Sequence, residues 1–273
     1  MTFIETQLLK FKTIIENAIK TDGVKGKERA IRSSELINLI HEAVKNEFIL
    51  QRINPKNIYP PIGEKSPEIK MAGLLKQKDQ DICVIPSNIE KEPSIISWGP
   101  LAFLNRLDPY GYEFSRNTLV INVRSQMSSL AKNADTLFER TFAEAMNLHM
   151  KYPDIVLGEV YLIPLYEYDE ELVKQRKVGF KKNPTNVARY ISFFNSINER
   201  KLNGQPYEYE RCALLIVDFS LQTPHLFKNS QELKEAGYLS PEFEIEYEKL
   251  SYHNFVKKLL DTYKERFVIS NLL

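Results

Sequence analysis

Two long apolar segments rich in strand-forming residues most limit what this chain can fold into. DIVLGEVYLIP covers residues 154–164, and RCALLIVDFS covers residues 211–220. The second segment is apolar almost without interruption, which predicts a strand buried on both faces of a sheet. DICVIP at 81–86 and the residues Leu119–Val123 predict two further strands.

Segments with helical periodicity surround these strands. The helices are predicted at residues 3–20, 27–49, 133–150, 184–200 and 250–268. Asp22-Gly23 and Gly26 are expected to separate the first two helices, and Asn133 or Asp135 is expected to cap the third. No glycine-rich turn follows a strand. The order therefore favours an α/β fold with a mixed central sheet flanked by helices over a doubly wound nucleotide-binding fold.

The stretch 54–67 contains four prolines and a glycine and must be a loop or an extended connection. It separates an N-terminal helical segment, 1–53, from an α/β core, 54–273, that carries a basic insertion at about 167–210. A short amphipathic piece, Glu68–Leu75, is expected to form a helix before the strand at 81–86. We expect the two parts to form one structural domain.

Composition and charge limit the class of protein and the way it could contact a partner. With 43% hydrophobic and 27% charged residues the chain can bury a sizeable core, and its net charge of +1 requires any DNA contact to come from a local basic patch. Cys83 and Cys212 lie in apolar runs, which predicts buried thiols in a reducing compartment. The N-terminus lacks the apolar core of a signal peptide, so a cytoplasmic protein without a membrane partner is expected.

Familiar catalytic motifs are absent, including the phosphate-binding loops, the nucleophile elbow of hydrolases and the zinc-protease helix motif. The four histidines are scattered, and a structural or solvated role is expected for each. What remains is charged and polar residues near strand ends. Asp79 and Asp81 precede one strand, and Arg124-Ser125-Gln126 ends the next. An acid at a strand end can also simply be solvated, so this pattern alone leaves a structural role open.

The arrangement resembles the PD-(D/E)xK nuclease superfamily, in particular type II restriction endonucleases, over roughly residues 58–220. The run from SSLAKNADTLFERTFAEAMNLH to GEVYLIP contributes to the resemblance. In that family an Asp and the (Asp/Glu)-x-Lys of the next strand converge on a divalent metal. Asp81 matches the first Asp, and Asn122-Val123-Arg124 falls where (Asp/Glu)-x-Lys should stand.

This departure leaves two explanations open. Asn122 offers only a neutral oxygen, and Arg124, with a pKa above ~12, cannot readily carry a proton. Either the second acid has moved to the following helix, as Glu139 or Glu144, or the chain is a degenerate subunit that binds DNA beside an active partner. A plain Arg140–Glu144 pair at i, i+4 is the simpler alternative for the helix.

The resemblance implies a Mg²⁺-dependent, site-specific double-stranded DNA endonuclease that acts as a homodimer. Asp81 with Glu139 or Glu144, and Glu68 as a third acid, would hold the metal, while Arg124 and Gln126 would contact the scissile phosphate or orient the attacking water. The candidate DNA-binding residues are Lys76, Lys78, Lys174, Arg176, Lys177, Lys181, Lys182, Asn183 and Arg189. The alternatives are a non-catalytic DNA-binding or specificity subunit and a non-enzymatic cytoplasmic interaction protein.

Overall fold

The computed structural model describes all 273 residues and is organised around a six-stranded mixed sheet. The strands are β1 (Ile58–Tyr59), β2 (Ile69–Ala72), β3 (Gln77–Gln80), β4 (Ile82–Val84), β5 (Ser94–Ile95), β6 (Leu107–Asp108), β7 (Leu119–Ser125), β8 (Val156–Pro164), β9 (Arg211–Asp218) and β10 (His225–Leu226). The helices are α1 (Phe3–Arg32), α2 (Ser34–Leu50), α3 (Tyr112–Asn117), α4 (Leu130–His149), α5 (Glu170–Lys174), α6 (Val187–Ser196), α7 (Ser230–Glu235) and α8 (Phe255–Arg266).

The central sheet has the order β1-β4-β7-β8-β9-β10. Strands β7, β8 and β9 are parallel, whereas β1, β4 and β10 pair antiparallel with their neighbours. The helix α4 connects β7 to β8, as a parallel pair requires. The predicted α/β fold with a mixed central sheet flanked by helices is confirmed.

Helices cover both faces of the sheet, and side chains alternate between two apolar cores. Ile121 packs in the core that contains residues of α1, α2 and α8, whereas Val120 packs in the core under α4 and α6. All residues of β8 are buried, which explains its apolar sequence. At Gly158 an added Cβ would lie 2.8 Å from Cζ of Phe255, so this position lets α8 approach the sheet closely.

The N-terminal helices differ from the prediction in where they break. The first helix runs to Arg32 with a kink at Asp22 and Gly23, and the two helices separate at Ser33. Gly23 has φ 55°, and an added Cβ would lie 2.9 Å from the carbonyl oxygen of Val173, so the kink permits close contact with α5. Apolar residues of 1–53 share one core with the sheet and therefore pack as part of the same body.

Two further expectations are wrong. The Glu68–Leu75 piece is not a helix: β2 and β3 form an antiparallel hairpin in which Ile69 pairs with Gln80. The helix α4 begins at Leu130, with Ser129 as its cap residue in the left-handed region (φ 54°). The turn is fixed by Glu167, which accepts the Ser129 N–H at 2.6 Å. Because Glu167 is distant in sequence, this interaction leaves no local signal.

Both cysteines are buried and free, as predicted. None of the helices combines the length and the apolar character needed to span a bilayer.

Candidate functional site

Three neighbouring strands bring polar side chains together in an otherwise apolar part of the sheet. Asn122 on β7 is the register partner of Glu159 on β8. Asp81 directly precedes Ile82, which pairs with β7, and its Oδ2 accepts the N–H of Val123 at 2.8 Å. The structure therefore places Asp81 beside the strand that carries Asn122 and Arg124, as predicted.

Arg124 is held by both the helix and the strand that follow it. Its Nη1 donates to Glu159 Oε1 at 2.8 Å and to Thr141 Oγ1 at 3.1 Å, and its Nη2 donates to Glu144. Burial disfavours the charged guanidinium, but neighbouring anions, led by Glu159, raise the pKa of Arg124 above its ordinary value. Arg124 is therefore a fixed cation with only 13% of its side chain exposed.

Glu144 is the centre of this charge network. Its carboxylate accepts from Arg124, from Lys78 Nζ at 2.6 Å and from Arg140 Nε at 3.3 Å. Burial would raise the pKa of Glu144, but Arg124 and Lys78 lower it to about 2. The Arg140–Glu144 pair considered from the sequence is present, and it forms the exposed edge of a larger buried network.

Glu159 is a residue that the sequence reasoning does not identify. It is fully buried, and burial raises the pKa of this carboxyl to about 8 although Arg124 opposes the shift. Its Oε2 has no hydrogen-bond partner, and neither has Oδ1 of the adjacent Asn122. One acid inside the apolar run LGEVYLIP is the available signal, because a buried carboxylate needs a partner.

The side chains predicted to hold Mg²⁺ do not converge. No three or more His, Cys, Asp or Glu side chains form a group that could hold a metal ion. The carboxylate of Glu144 already binds three cations, and Glu68 is exposed. Burial, together with Asp79 and Asp81, raises the pKa of Glu68, so this residue lies within electrostatic range of Asp81. The predicted set therefore does not fit a ready magnesium centre.

Two other candidates lie away from the charge network. Glu139 is exposed on α4 and pairs with none of these cations. Gln126 is buried: its Oε1 accepts from the hydroxyls of Tyr161 (3.2 Å) and Tyr190 (3.1 Å), and its Nε2 donates to Ser129 O at 3.3 Å. These hydrogen bonds give Gln126 a role in packing the turn before α4.

Asp81 opens into a cleft of about 510 Å³ whose other charged residues are all basic. Ile31 and Arg32, at the end of α1, line this cleft and also a second cavity that contains Lys174. A third cavity is lined by Leu130, Lys181 and Arg189, and Leu130 directly follows Ser129, which lines the second cavity. We call the three together the basic cleft. Its basic residues are Lys27, Arg32, Lys78, Arg124, Arg140, Lys174, Lys181 and Arg189, and its acidic residues are Glu28, Asp81, Glu167 and Glu170.

The predicted DNA-binding residues divide into two groups. Lys78, Lys174, Lys181, Asn183 and Arg189 line the basic cleft. Lys76, Arg176, Lys177 and Lys182 do not line it; Lys76 borders a narrow crevice beside Asn122 and Glu144. Lys27 and Arg32 of α1 are absent from the sequence prediction, because nothing local in an N-terminal helix indicates that it will reach a distant strand end.

One histidine also lies near Asp81. Burial lowers the pKa of His41 on α2, and the carboxylate of Asp81 opposes that shift. The Nε2 atom of His41 is buried without a hydrogen-bond partner. A structural or solvated role is predicted for His41 from the sequence, and that prediction does not include its proximity to Asp81.

Comparison of the chain with protein-family models, with curated proteins and with solved structures finds no match.

Proposed function

We propose that the chain binds double-stranded DNA along the basic cleft and hydrolyses a phosphodiester bond beside Asp81. One observation carries the proposal: Asp81 is the single carboxylate in the part of the cleft formed by Arg32, Lys78, Arg124 and Arg140. Cations on the walls attract the phosphate backbone, and one carboxylate among them is available to a water molecule.

The exposure of each cation indicates whether it can contact a phosphate. Lys78 and Arg140 expose 24% and 62% of their side chains, so both can exchange part of their interaction with Glu144 for a phosphate oxygen. Arg124 is hydrogen-bonded to both Glu144 and Glu159. Its proposed role is therefore to hold Glu144 in position, and through Glu144 also Lys78. Charge-assisted hydrogen bonds of this kind would orient the scissile phosphate.

Asp81 would act on the attacking water. Its Oδ2 is fixed by the N–H of Val123, while its Oδ1 accepts no hydrogen bond from the protein. A fixed carboxylate with a free oxygen can accept a proton from water and direct the remaining lone pair at phosphorus. The hydroxide oxygen forms a bond to phosphorus while the bond between phosphorus and the sugar oxygen breaks. The sugar oxygen leaves as an alkoxide and takes a proton from solvent water, and Asp81 releases its proton to the solvent.

A second candidate function is DNA binding without hydrolysis. It is favoured by the pairing of Arg124 with the acidic side chains of Glu144 and Glu159 and by the separation of the acids predicted to hold magnesium. This is the degenerate, DNA-binding subunit that the Asn122-Val123-Arg124 departure suggests.

The two candidates are separated by measuring binding and cleavage on the same protein. Supercoiled plasmid is incubated with the full chain and Mg²⁺, and duplex binding is followed by fluorescence anisotropy. Asp81→Asn keeps an oxygen for the Val123 N–H but removes the charge. The proposal requires that this variant bind DNA at least as well as wild type and lose cleavage.

Asp79→Asn is the matched control, because Asp79 is exposed on β3 two residues before Asp81 and pairs only loosely with Lys70, at 3.9 Å. It should retain both properties. Binding without cleavage by the wild type would select the second candidate, and absence of salt-dependent binding would exclude both.

A further inference from the structure

A second cluster of basic side chains lies at the other end of the parallel strands. A cavity of about 260 Å³ opens where β9 begins, whereas the part of the basic cleft near Asp81 lies towards the carboxyl end of β7. The charged residues that line the cavity are Arg200, Lys201, Arg211, Glu265 and Arg266. None of them belongs to the proposed DNA-binding site.

Two of these cations are buried around one carboxylate. Arg200 and Arg266 expose 3% and 5% of their side chains, and each donates through Nη1 to Oε1 of Glu210, at 3.0 and 2.8 Å. The other oxygen of Glu210 accepts the N–H of Leu157 at 2.8 Å. One carboxylate cannot neutralise two guanidinium groups, so a buried excess of positive charge remains beside the cavity.

The remaining donors of the cavity are not fully used. Arg211 donates through Nη1 to the carbonyl oxygen of Glu210 at 2.8 Å, but its buried Nε has no partner. Lys201 is exposed and forms no ion pair. The only acidic residue that lines the cavity is Glu265, which is exposed. Even with Glu210 included, the four basic residues exceed the acidic ones by two charges.

We propose that this cavity is a binding site for a small phosphate dianion, either inorganic phosphate or a phosphate monoester. An unpaired guanidinium N–H beside a buried positive excess favours an oxyanion with several acceptor oxygens. A phosphate monoester carries close to two negative charges near neutral pH, which matches the excess. The cavity volume of about 260 Å³ is large enough to admit a free phosphate group. The proposal does not depend on DNA binding or cleavage elsewhere in the chain.

Calorimetric titration of the full chain with inorganic phosphate tests the site. Saturable one-to-one binding is expected at pH 7.5, sulfate should compete, and chloride at matched ionic strength should not. Arg211→Gln should weaken binding about tenfold or more, because a charge-assisted hydrogen bond contributes roughly 1.5–3 kcal/mol. Arg106→Gln, at an exposed position outside the cavity, should bind as wild type.

A second variant tests the site independently in case Arg211→Gln does not fold. Lys201→Gln changes an exposed side chain and should weaken phosphate binding severalfold while leaving the unfolding midpoint unchanged. Absence of saturable heat in the wild type, or equal binding by Arg211→Gln and Arg106→Gln, would overturn the proposal. Displacement of phosphate by a DNA duplex in an Arg211-dependent manner would also overturn it, since the cavity would then belong to a nucleic-acid surface.

Discussion

Asn122 and Glu159 are register partners in the parallel ladder between β7 and β8, so an acid lies one strand away from the position where the resemblance predicts one. Glu159 does not simply replace it, because its Oε1 accepts from Arg124. The strand pair thus combines a neutral amide, a buried carboxyl and a fixed guanidinium. This combination determines how the site tolerates change.

Placing an acid at position 122 should destabilise the protein. Asn122→Asp adds a carboxyl that is 2% exposed and close to Asp81 and Glu159, so its pKa is expected to rise on folding. The folded variant then retains a proton that the unfolded chain has released, and its stability falls as pH rises. We expect a loss of roughly 3 kcal/mol at pH 8 and a smaller loss at pH 5, measured by urea unfolding. An equal loss at both pH values would contradict a raised pKa at this position.

Arg124 and Arg140 offer a matched pair of substitutions, because both bind Glu144. Arg124→Met removes a buried cation, leaves the carboxylate of Glu144 less compensated and leaves Glu159 without its hydrogen-bond donor, so the unfolding free energy should fall by about 3–5 kcal/mol. Arg140→Met removes a cation with 62% of its side chain exposed and should cost less than about 1 kcal/mol. Chemical denaturation of both variants at pH 7 checks the difference, and similar losses would refute the network.

The sequence predicts the strands that form the sheet better than it predicts the site. The apolar runs at 81–86, 119–123, 154–164 and 211–220 identify β4, β7, β8 and β9, because burial on both faces leaves a strong compositional signal. The hairpin β2-β3 stands where a helix is predicted, since its short alternation is fixed by pairing with a neighbour and not by local propensity.

The network around Arg124 can be predicted only in part. The prediction places Arg124 near the end of the right strand, and Glu144 is one of the two acids predicted on the following helix. Glu159 and Thr141 come from segments that only the parallel crossover brings to Arg124. Gln126 illustrates the opposite error. The sequence places this polar residue at the site, but its side chain accepts hydrogen bonds from two buried tyrosines.

Acid pH should weaken the protein partly through Glu144. Its folded pKa of about 2 lies below the ordinary 4.5, so its contribution is present above pH 4.5 and disappears as pH falls towards 2. Between pH 5 and pH 3 the stability of the wild type should therefore fall by about 2 kcal/mol more than that of Glu144→Gln. Urea unfolding at pH 5, 4 and 3 measures the slopes. Glu210, whose pKa is also lowered to about 2, remains in both proteins, so an acid-induced decrease persists in the variant.

Gln126 should affect stability and not phosphate binding. Gln126→Met keeps the length of the side chain but deprives the hydroxyls of Tyr161 and Tyr190 of a shared acceptor. A decrease of about 1–3 kcal/mol is expected by thermal or chemical unfolding, with DNA affinity unchanged for the folded protein. Gln175→Met, at an exposed position, is the control and should be neutral. Loss of DNA binding or cleavage without loss of stability would instead restore Gln126 as a phosphate ligand.

Substitution of Lys174 tests whether the basic cleft binds the DNA backbone. Lys174→Gln removes one cation from the cleft, and a cation that neutralises one phosphate should contribute about one to the slope of log affinity against log salt. Lys249→Gln is a close control: Lys174 pairs with Glu171 and Lys249 with Glu246, both at i, i+3 on exposed surface, but Lys249 lies outside the cleft. Anisotropy titrations with a duplex between roughly 50 and 200 mM salt measure the slopes, because affinity that depends on several phosphates falls steeply over this range. If both variants shift the slope equally, the attraction belongs to the general surface and the cleft is not the DNA-binding site.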